Sequence, residues 1–345
     1  MILKVAIADT NVDYVGRIAD VLGGYPDVKI SMYTDKSKLE LAVTSKNIDV
    51  LLFDPSIYTG EVGLKSDTLA IMLVDDEVPI PETCKSFKKV KKYQRISRVY
   101  NKILEYYSEF CPSRGIDSEG KTNIYAFYSP VGGVGKTTIA LATAARLASM
   151  GKKVLYVNLE DIPSDGFYLP QDGEHGLSLL ATQLGENVNF GMKVQSLLQN
   201  KSENFFYVNH FDSPNDSYDL TEDEAKMLLE QLATTSLFNC IVVDLGIGLD
   251  KKILSVFDIV DKVVIVEKHD NVSIQKLKTF YDQAHIVNAF AEKMIRVQNL
   301  SYGARADITD KAPLVGSINA VMNPDAAQPV NMMASDASLS FVAQL

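Results

Sequence analysis

The chain is 345 residues long, 46% hydrophobic and 23% charged, with a net charge of -10. That length predicts two domains with cores of their own, and the composition excludes disorder over most of the chain. No run reaches the roughly 18 uncharged apolar residues of a membrane-spanning helix, and the acidic balance disfavours a general nucleic-acid binder.

In chain order, LKVAIAD (3–9) reads as a strand, with no basic-then-apolar signal segment before it. The spacing then predicts a helix over 12–24, a strand over 28–34 and a helix over 36–45. Strands follow over 48–54 and 68–75, and an amphipathic helix over 96–110. Apolar strands alternating with helices predict a parallel sheet covered on both faces. The run CPSRGIDSEGK is rich in Pro, Gly, Ser and charge, which predicts a linker over 112–122 between domains 1–111 and 123–345. Beyond it, strands are predicted over 123–129, 152–160, 205–211, 240–246, 262–268 and 294–300, with helices between them. Thr221 and Glu224 have the spacing of a capping box. The fold class is α/β with two doubly wound domains. Cys84, Cys111 and Cys240 are odd in number and widely spaced, which fits neither a disulfide framework nor a zinc site and predicts a reducing cytoplasm.

The strongest chemical signal is Gly132-Gly133-Val134-Gly135-Lys136-Thr137-Thr138, set between a strand and a helix. A glycine-rich turn lets backbone N–H groups converge on phosphate oxygens, and the helix N-terminus adds partial positive charge. Lys136 is placed to reach the terminal phosphates, the Thr137 hydroxyl to ligate Mg²⁺, and Thr138 to meet the α-phosphate. Pro130 stands where the general phosphate loop has its first glycine. Ile241-Val242-Val243-Asp244 has the form of a strand whose terminal acid holds Mg²⁺.

The string GGVGKTT is similar to the deviant phosphate loop of the MinD/ParA family. That resemblance implies ATP and Mg²⁺ as cofactors and further site residues. Where the family carries Asp-x-Asp, this chain has Asn158-Leu159-Glu160. Glu160 and Asp244 are then the candidate catalytic acids. The extra methylene of Glu160 moves its carboxylate by about one bond length, and errors near 1 Å lower rates by about 100-fold. Asn299 matches the family's adenine-reading asparagine. Val131 replaces the signature lysine that contacts phosphate across a dimer, so weak or absent hydrolysis is expected.

The first half resembles a response-regulator receiver. Asp54 occupies the phosphoacceptor position, Ala8-Asp9 stands where two acids belong, and Leu73-Val74-Asp75 lacks the expected hydroxyl. Lys92 matches the receiver lysine. A degenerate receiver used for docking, not phosphorylated, is expected. Lys85, Lys88, Lys89, Lys91, Lys92, Arg95, Arg98 and Lys102 form a basic cluster that suits an acidic partner, an anionic membrane surface or a solvated face.

A degenerate receiver followed by a MinD/ParA-like ATPase resembles the TadZ/CpaE family of Flp-type (tight adherence) pilus assembly. The resemblance implies a cytoplasmic homodimer that binds ATP and localises secretion machinery through pilus assembly proteins or a polar landmark, at a cell pole or beside the inner membrane. Residues 1–110 carry a net charge of -1 and the remainder -9, which argues against DNA binding by the second half. No Lys or Arg occurs from Ala312 to Leu345, so SLSFVAQL is expected to pack on the fold or a partner without stable membrane insertion. A cycling positioning ATPase and a phosphorylation-controlled regulator are the alternative functions.

Overall fold

A computed structural model describes residues 2–25, 27–59, 63–75, 78–112, 121–172, 176–301, 308–319, 330 and 337–345. The predicted linker lies largely outside the described residues. The chain forms two compact units, one of residues 1–117 with 186–196, the other of residues 118–185 with 197–345.

The first unit contains β1 (Leu3–Ala8), α1 (Val12–Leu22), β2 (Val28–Tyr33), α2 (Lys36–Ser45), β3 (Val50–Phe53), β4 (Leu69–Val74), β5 (Lys88–Lys91) and α3 (Ile96–Phe110). Its five strands are parallel in the order β2-β1-β3-β4-β5. The period of two along each strand builds two cores. Val5, Ile7, Leu52 and Ile71 face one core with α1 and α3, while Ala6, Leu51, Phe53 and Met72 face the other with α2. Asn11 and Asp35 fix the starts of α1 and α2 by accepting from Tyr14 N and Lys38 N.

Residues 186–196 join this first unit although they follow the phosphate loop in sequence. Met192 enters its core, the Asn189 N–H donates to the Ser108 carbonyl, and the buried Lys193 ammonium lies 3.7 Å from both Glu105 and Glu109. An amphipathic pattern shows that a helix buries a face but does not say which core receives it.

The second unit begins with β6 (Asn123–Tyr128), α4 (Lys136–Ser149), β7 (Val154–Leu159) and α5 (Leu177–Thr182). After α6 (Phe190–Leu197) come β8 (Gln199–Ser202), β9 (Phe205–Tyr207), α7 (Pro214–Asp219), α8 (Glu222–Thr234), β10 (Cys240–Leu245) and α9 (Lys251–Ile259). β11 (Lys262–Glu267), α10 (Asn271–Tyr281), α11 (Ala284–Phe290), β12 (Met294–Ser301) and β13 (Leu314–Asn319) complete it. The sheet order is β13-β12-β11-β6-β10-β7-β9-β8, parallel except for the antiparallel edge strand β8. The Thr221–Glu224 capping box forms at the start of α8.

From β6 the chain moves past the β10 position to β7. After β10 it crosses β6 to reach β11. Connections therefore diverge on either side of β6 and β10, opening a crevice at the carboxyl ends of the central strands. The phosphate loop lies at this crevice. The segment after Ala337 forms a short 3₁₀ turn that buries Leu339, Phe341 and Val342 near β13 and α4, and the Tyr125 hydroxyl donates to the Leu345 carbonyl at 2.6 Å.

Candidate functional site

Gly133 and Gly135 adopt φ values of 69° and 81°, a left-handed conformation that strains any residue with a side chain. Gly135 is the N-cap of the 14-residue α4, so unpaired N–H groups and the positive end of the helix dipole meet there. The cleft is lined by Val131, residues 133–138, Glu160, Ser164, Tyr168 and Ile247. Gly133, Val134, Gly135, Lys136, Thr137, Thr138 and Glu160 are thus brought together, with Gly132 in the same loop.

The Lys136 ammonium is buried and lies 2.6 Å from both Glu160 Oε1 and Asp244 Oδ1. Asp244 sits on central β10, in register with Phe127 of β6 and Asn158 of β7. Its second oxygen accepts from the Tyr156 hydroxyl at 3.0 Å. Glu160 follows β7, where its N–H donates to Asn158 Oδ1 at 2.9 Å. Asn158 therefore shapes the strand end that presents the carboxylate.

Burial works against the charge of Lys136, yet attraction from Asp244 and Glu160 outweighs it and raises the lysine pKa. Burial and repulsion from Asp244 push Glu160 above the ordinary carboxylate range, more than Lys136 pulls it down. Asp165, in a short turn after β7, is fully buried, and among the described residues neither of its oxygens makes a close, well-aligned hydrogen bond, although the Asn158 side chain exerts a polar influence on it. Burial raises its pKa despite the opposing influence of His210 and Asn158. Sequence reasoning missed Asp165, Tyr156 and Tyr168. Tyr156 was open to discovery, because positions 156 and 158 share a strand face. The Tyr168 hydroxyl lies 3.3 Å from Thr138 Oγ1, a contact no strand or helix period encodes.

These residues fit a magnesium nucleotide. Lys136 lies between Asp244 and Glu160, and the buried Asp165 adds to the repulsion on Glu160, an acid excess that a divalent cation offsets, beside a loop whose N–H groups suit anions. Thr137 and Asp244 are the residues that would supply hard oxygen ligands to such a cation. Among the described residues no group of three or more His, Cys, Asp or Glu is placed to hold a metal ion.

Asn299, on β12, is 2% exposed, and its amide donates to the Val134 carbonyl at 2.8 Å. The structure thus places it against the phosphate loop.

In the first unit, the Lys92 ammonium pairs with Asp9 at 2.7 Å and with Asp54. All three residues follow strand ends. Burial alone would raise the Asp54 pKa, but hydrogen bonds from Lys92 and Ser56 hold it below the ordinary range. Within the basic cluster, Lys85 pairs with Glu82, Lys88 with Glu109 and Lys102 with Glu105. Part of that charge is therefore answered inside the unit.

Residues 124–167 match the family model of anion-transporting ATPases. The chain is 40% identical over 63 residues to a protein of Aquifex aeolicus described as a putative arsenical pump-driving ATPase 1; the match spans 18% of this chain and 16% of that relative. A ParA family ATPase from Chlorobium tepidum superposes with a TM-score of 0.53 at 16% identity, covering 65% of this chain and all of the other. MinD of Pyrococcus horikoshii, solved with Mg-ADP, gives a TM-score of 0.48 at 18% identity over 61% of this chain and 86% of its own. The chain therefore contains a ParA-like P-loop ATPase fold with parallel sheets. No helix among the described residues is long and apolar enough to cross a membrane.

Proposed function

We propose that the second unit binds ATP with Mg²⁺ and that bound nucleotide fixes a homodimer acting as a localisation scaffold, with slow hydrolysis. The observation that carries this reading is Lys136, buried at the start of α4 between Glu160 and Asp244. Its ammonium is placed to exchange a carboxylate for a phosphate. Gly132 to Thr138 receive the phosphates, and Thr137 and Asp244 hold Mg²⁺, which supplies charge neutralisation at the phosphate oxygens. Glu160 orients the attacking water, a role that its place beside Lys136 in the cleft supports.

Slow turnover follows from two substitutions. Val131 is buried at 6% exposure and brings no charge to the position of the signature lysine. Glu160 is one methylene longer than the family aspartate. The TadZ/CpaE resemblance supports a place in Flp-type pilus assembly, with pilus assembly proteins or a polar landmark as partners. In that role the protein works in the cytoplasm, at a cell pole or beside the inner membrane through those partners. The first unit serves as a receiver-like docking domain without phosphotransfer, since Ala8 removes one acid and Leu73-Val74-Asp75 lacks the hydroxyl. Retention of Lys136, Thr137 and Asp244 favours a second reading, a cycling positioning ATPase.

Single-turnover hydrolysis of labelled ATP tests both. Bound but intact ATP supports the scaffold. Turnover within minutes that disappears in Glu160→Ala supports the cycling enzyme. No ATP binding by calorimetry rejects both.

A further inference from the structure

Asn299 sits where the strand it belongs to loses its regular form. Pairing between β12 and β13 shifts register between Gln298 and Ser301, and Leu300 takes φ of 50°. A non-glycine residue in that conformation is strained, and such strain persists only where its surroundings enforce it. An irregularity of this kind re-aims a neighbouring side chain. Here the Asn299 amide donates to the carbonyl of Val134, in the middle of the phosphate loop. The approach is so close that a Cβ on Gly135 would lie 2.4 Å from the amide nitrogen. A glycine is therefore required at 135 for space as well as for its φ of 81°.

The consequence follows from peptide geometry. In a trans peptide the C=O of one residue and the N–H of the next point in opposite directions. With the Val134 carbonyl held on Asn299, the Gly135 N–H is turned the other way. Released, the peptide between Val134 and Gly135 is free to flip, since glycine tolerates both signs of φ. A flipped peptide presents a carbonyl oxygen where a phosphate needs a donor.

We propose that Asn299 is a positioning residue that locks the 134–135 peptide so that the Gly135 N–H serves the phosphate chain, and that it acts on the triphosphate irrespective of the base. This inference rests on the reading of the cleft as an ATP site. It differs from the adenine-reading role that the family resemblance implies.

The test compares calorimetric binding of Mg-ATP, Mg-GTP and magnesium tripolyphosphate, which has no base. In Asn299→Ala all three weaken together, by about 10-fold or more, the scale of one lost hydrogen bond to a charged group, and the ATP-to-GTP ratio stays that of the parent. Asn299→Asp keeps the shape but loses the donor. It binds tripolyphosphate weakly at pH 8 and recovers relative to the parent as acid protonates the new carboxyl. Leu300→Gly, which relieves the strain, keeps tripolyphosphate affinity and controls for general damage to β12. Loss of ATP affinity with tripolyphosphate binding unchanged overturns the proposal in favour of base reading. Unchanged binding of all three ligands overturns it outright. A parent protein that binds neither ATP nor tripolyphosphate overturns the ATP-site reading itself.

Discussion

Each unit places a lysine between two carboxylates at the carboxyl ends of parallel strands, and the two trios behave differently. In the first unit Lys92 meets Asp9 and Asp54, and Asp54 is held below the ordinary carboxylate pKa. In the second, Lys136 meets Asp244 and Glu160, and Glu160 is pushed above it. Lys92 lies among groups whose hydrogen bonds favour the charged forms. Around Lys136 burial and repulsion from Asp244 and the buried Asp165 outweigh the lysine's pull on Glu160, and the loop beside it offers N–H groups to an anion. The first trio is closed on itself. On the proposed function, the second is completed by a ligand that brings both a divalent cation and phosphate.

Replacing each lysine by methionine separates the two trios most sharply. Lys136→Met is expected to weaken Mg-ATP binding by about 100-fold or more, equivalent to about 2.7 kcal/mol. It also strands Asp244, which is fully buried, and lowers unfolding free energy by about 3 kcal/mol. Lys92→Met is expected to lower stability by a smaller amount, about 1–2 kcal/mol, with ATP affinity unchanged. Calorimetry and urea titration check both, and equal loss of ATP affinity in the two variants breaks the comparison. A smaller contrast comes from the acids. Glu160→Gln is expected to slow single-turnover hydrolysis by about 10-fold or more while leaving ATP affinity within about threefold. Asp54→Asn is expected to change neither quantity, so a slowed reaction in that variant assigns the first trio a part in the chemistry.

The central strands were legible because apolar runs such as Val50–Phe53 and Cys240–Leu245 bury both faces. The strands that escaped notice are edges. β5 is Lys-Lys-Val-Lys with only Val90 buried, β8 is polar, and β13 is half-buried along most of its length. An edge strand keeps one side in solvent and carries charge that discourages further pairing, so it lacks the apolar run by which a strand is recognised. The site shows the same division. The phosphate loop is contiguous, and spacing alone exposes it. The contact of Lys136 with Glu160 and Asp244 spans 24 and 108 positions; the strand motif pointed to Asp244, and Glu160 came only through the family resemblance. The buried Asp165 and the Asn299–Val134 bond belong to the folded backbone, one through burial and the other through a register shift in β12. Neither leaves a periodic mark in the sequence.

The finest distinction between the trios is the sign of their pH dependence. Asp54 has a lowered pKa in the folded chain, since hydrogen bonds from Lys92 and Ser56 outweigh its burial. The unfolded state then takes up protons first as pH falls. The stability Asp54 contributes is complete above the ordinary aspartate value, near about 3.9, and is lost as pH drops through its folded value. Glu160 has a raised pKa, so the folded state holds its proton longer as pH rises. Its contribution is complete below the ordinary glutamate value, near about 4.3, and is lost as pH climbs through the folded value. Urea titrations of ligand-free protein across this range are therefore expected to show opposite changes in two variants. Asp54→Asn flattens the fall in stability on the acid side, and Glu160→Gln flattens the fall that begins just above pH 4.3. The effects are the smallest here, about 1 kcal/mol or less for groups that keep some contact with water. Slopes of the same sign in both variants mean that the trios are electrostatically alike, and the repulsion among the acids around Lys136 then no longer supports the proposal that this site takes a cation.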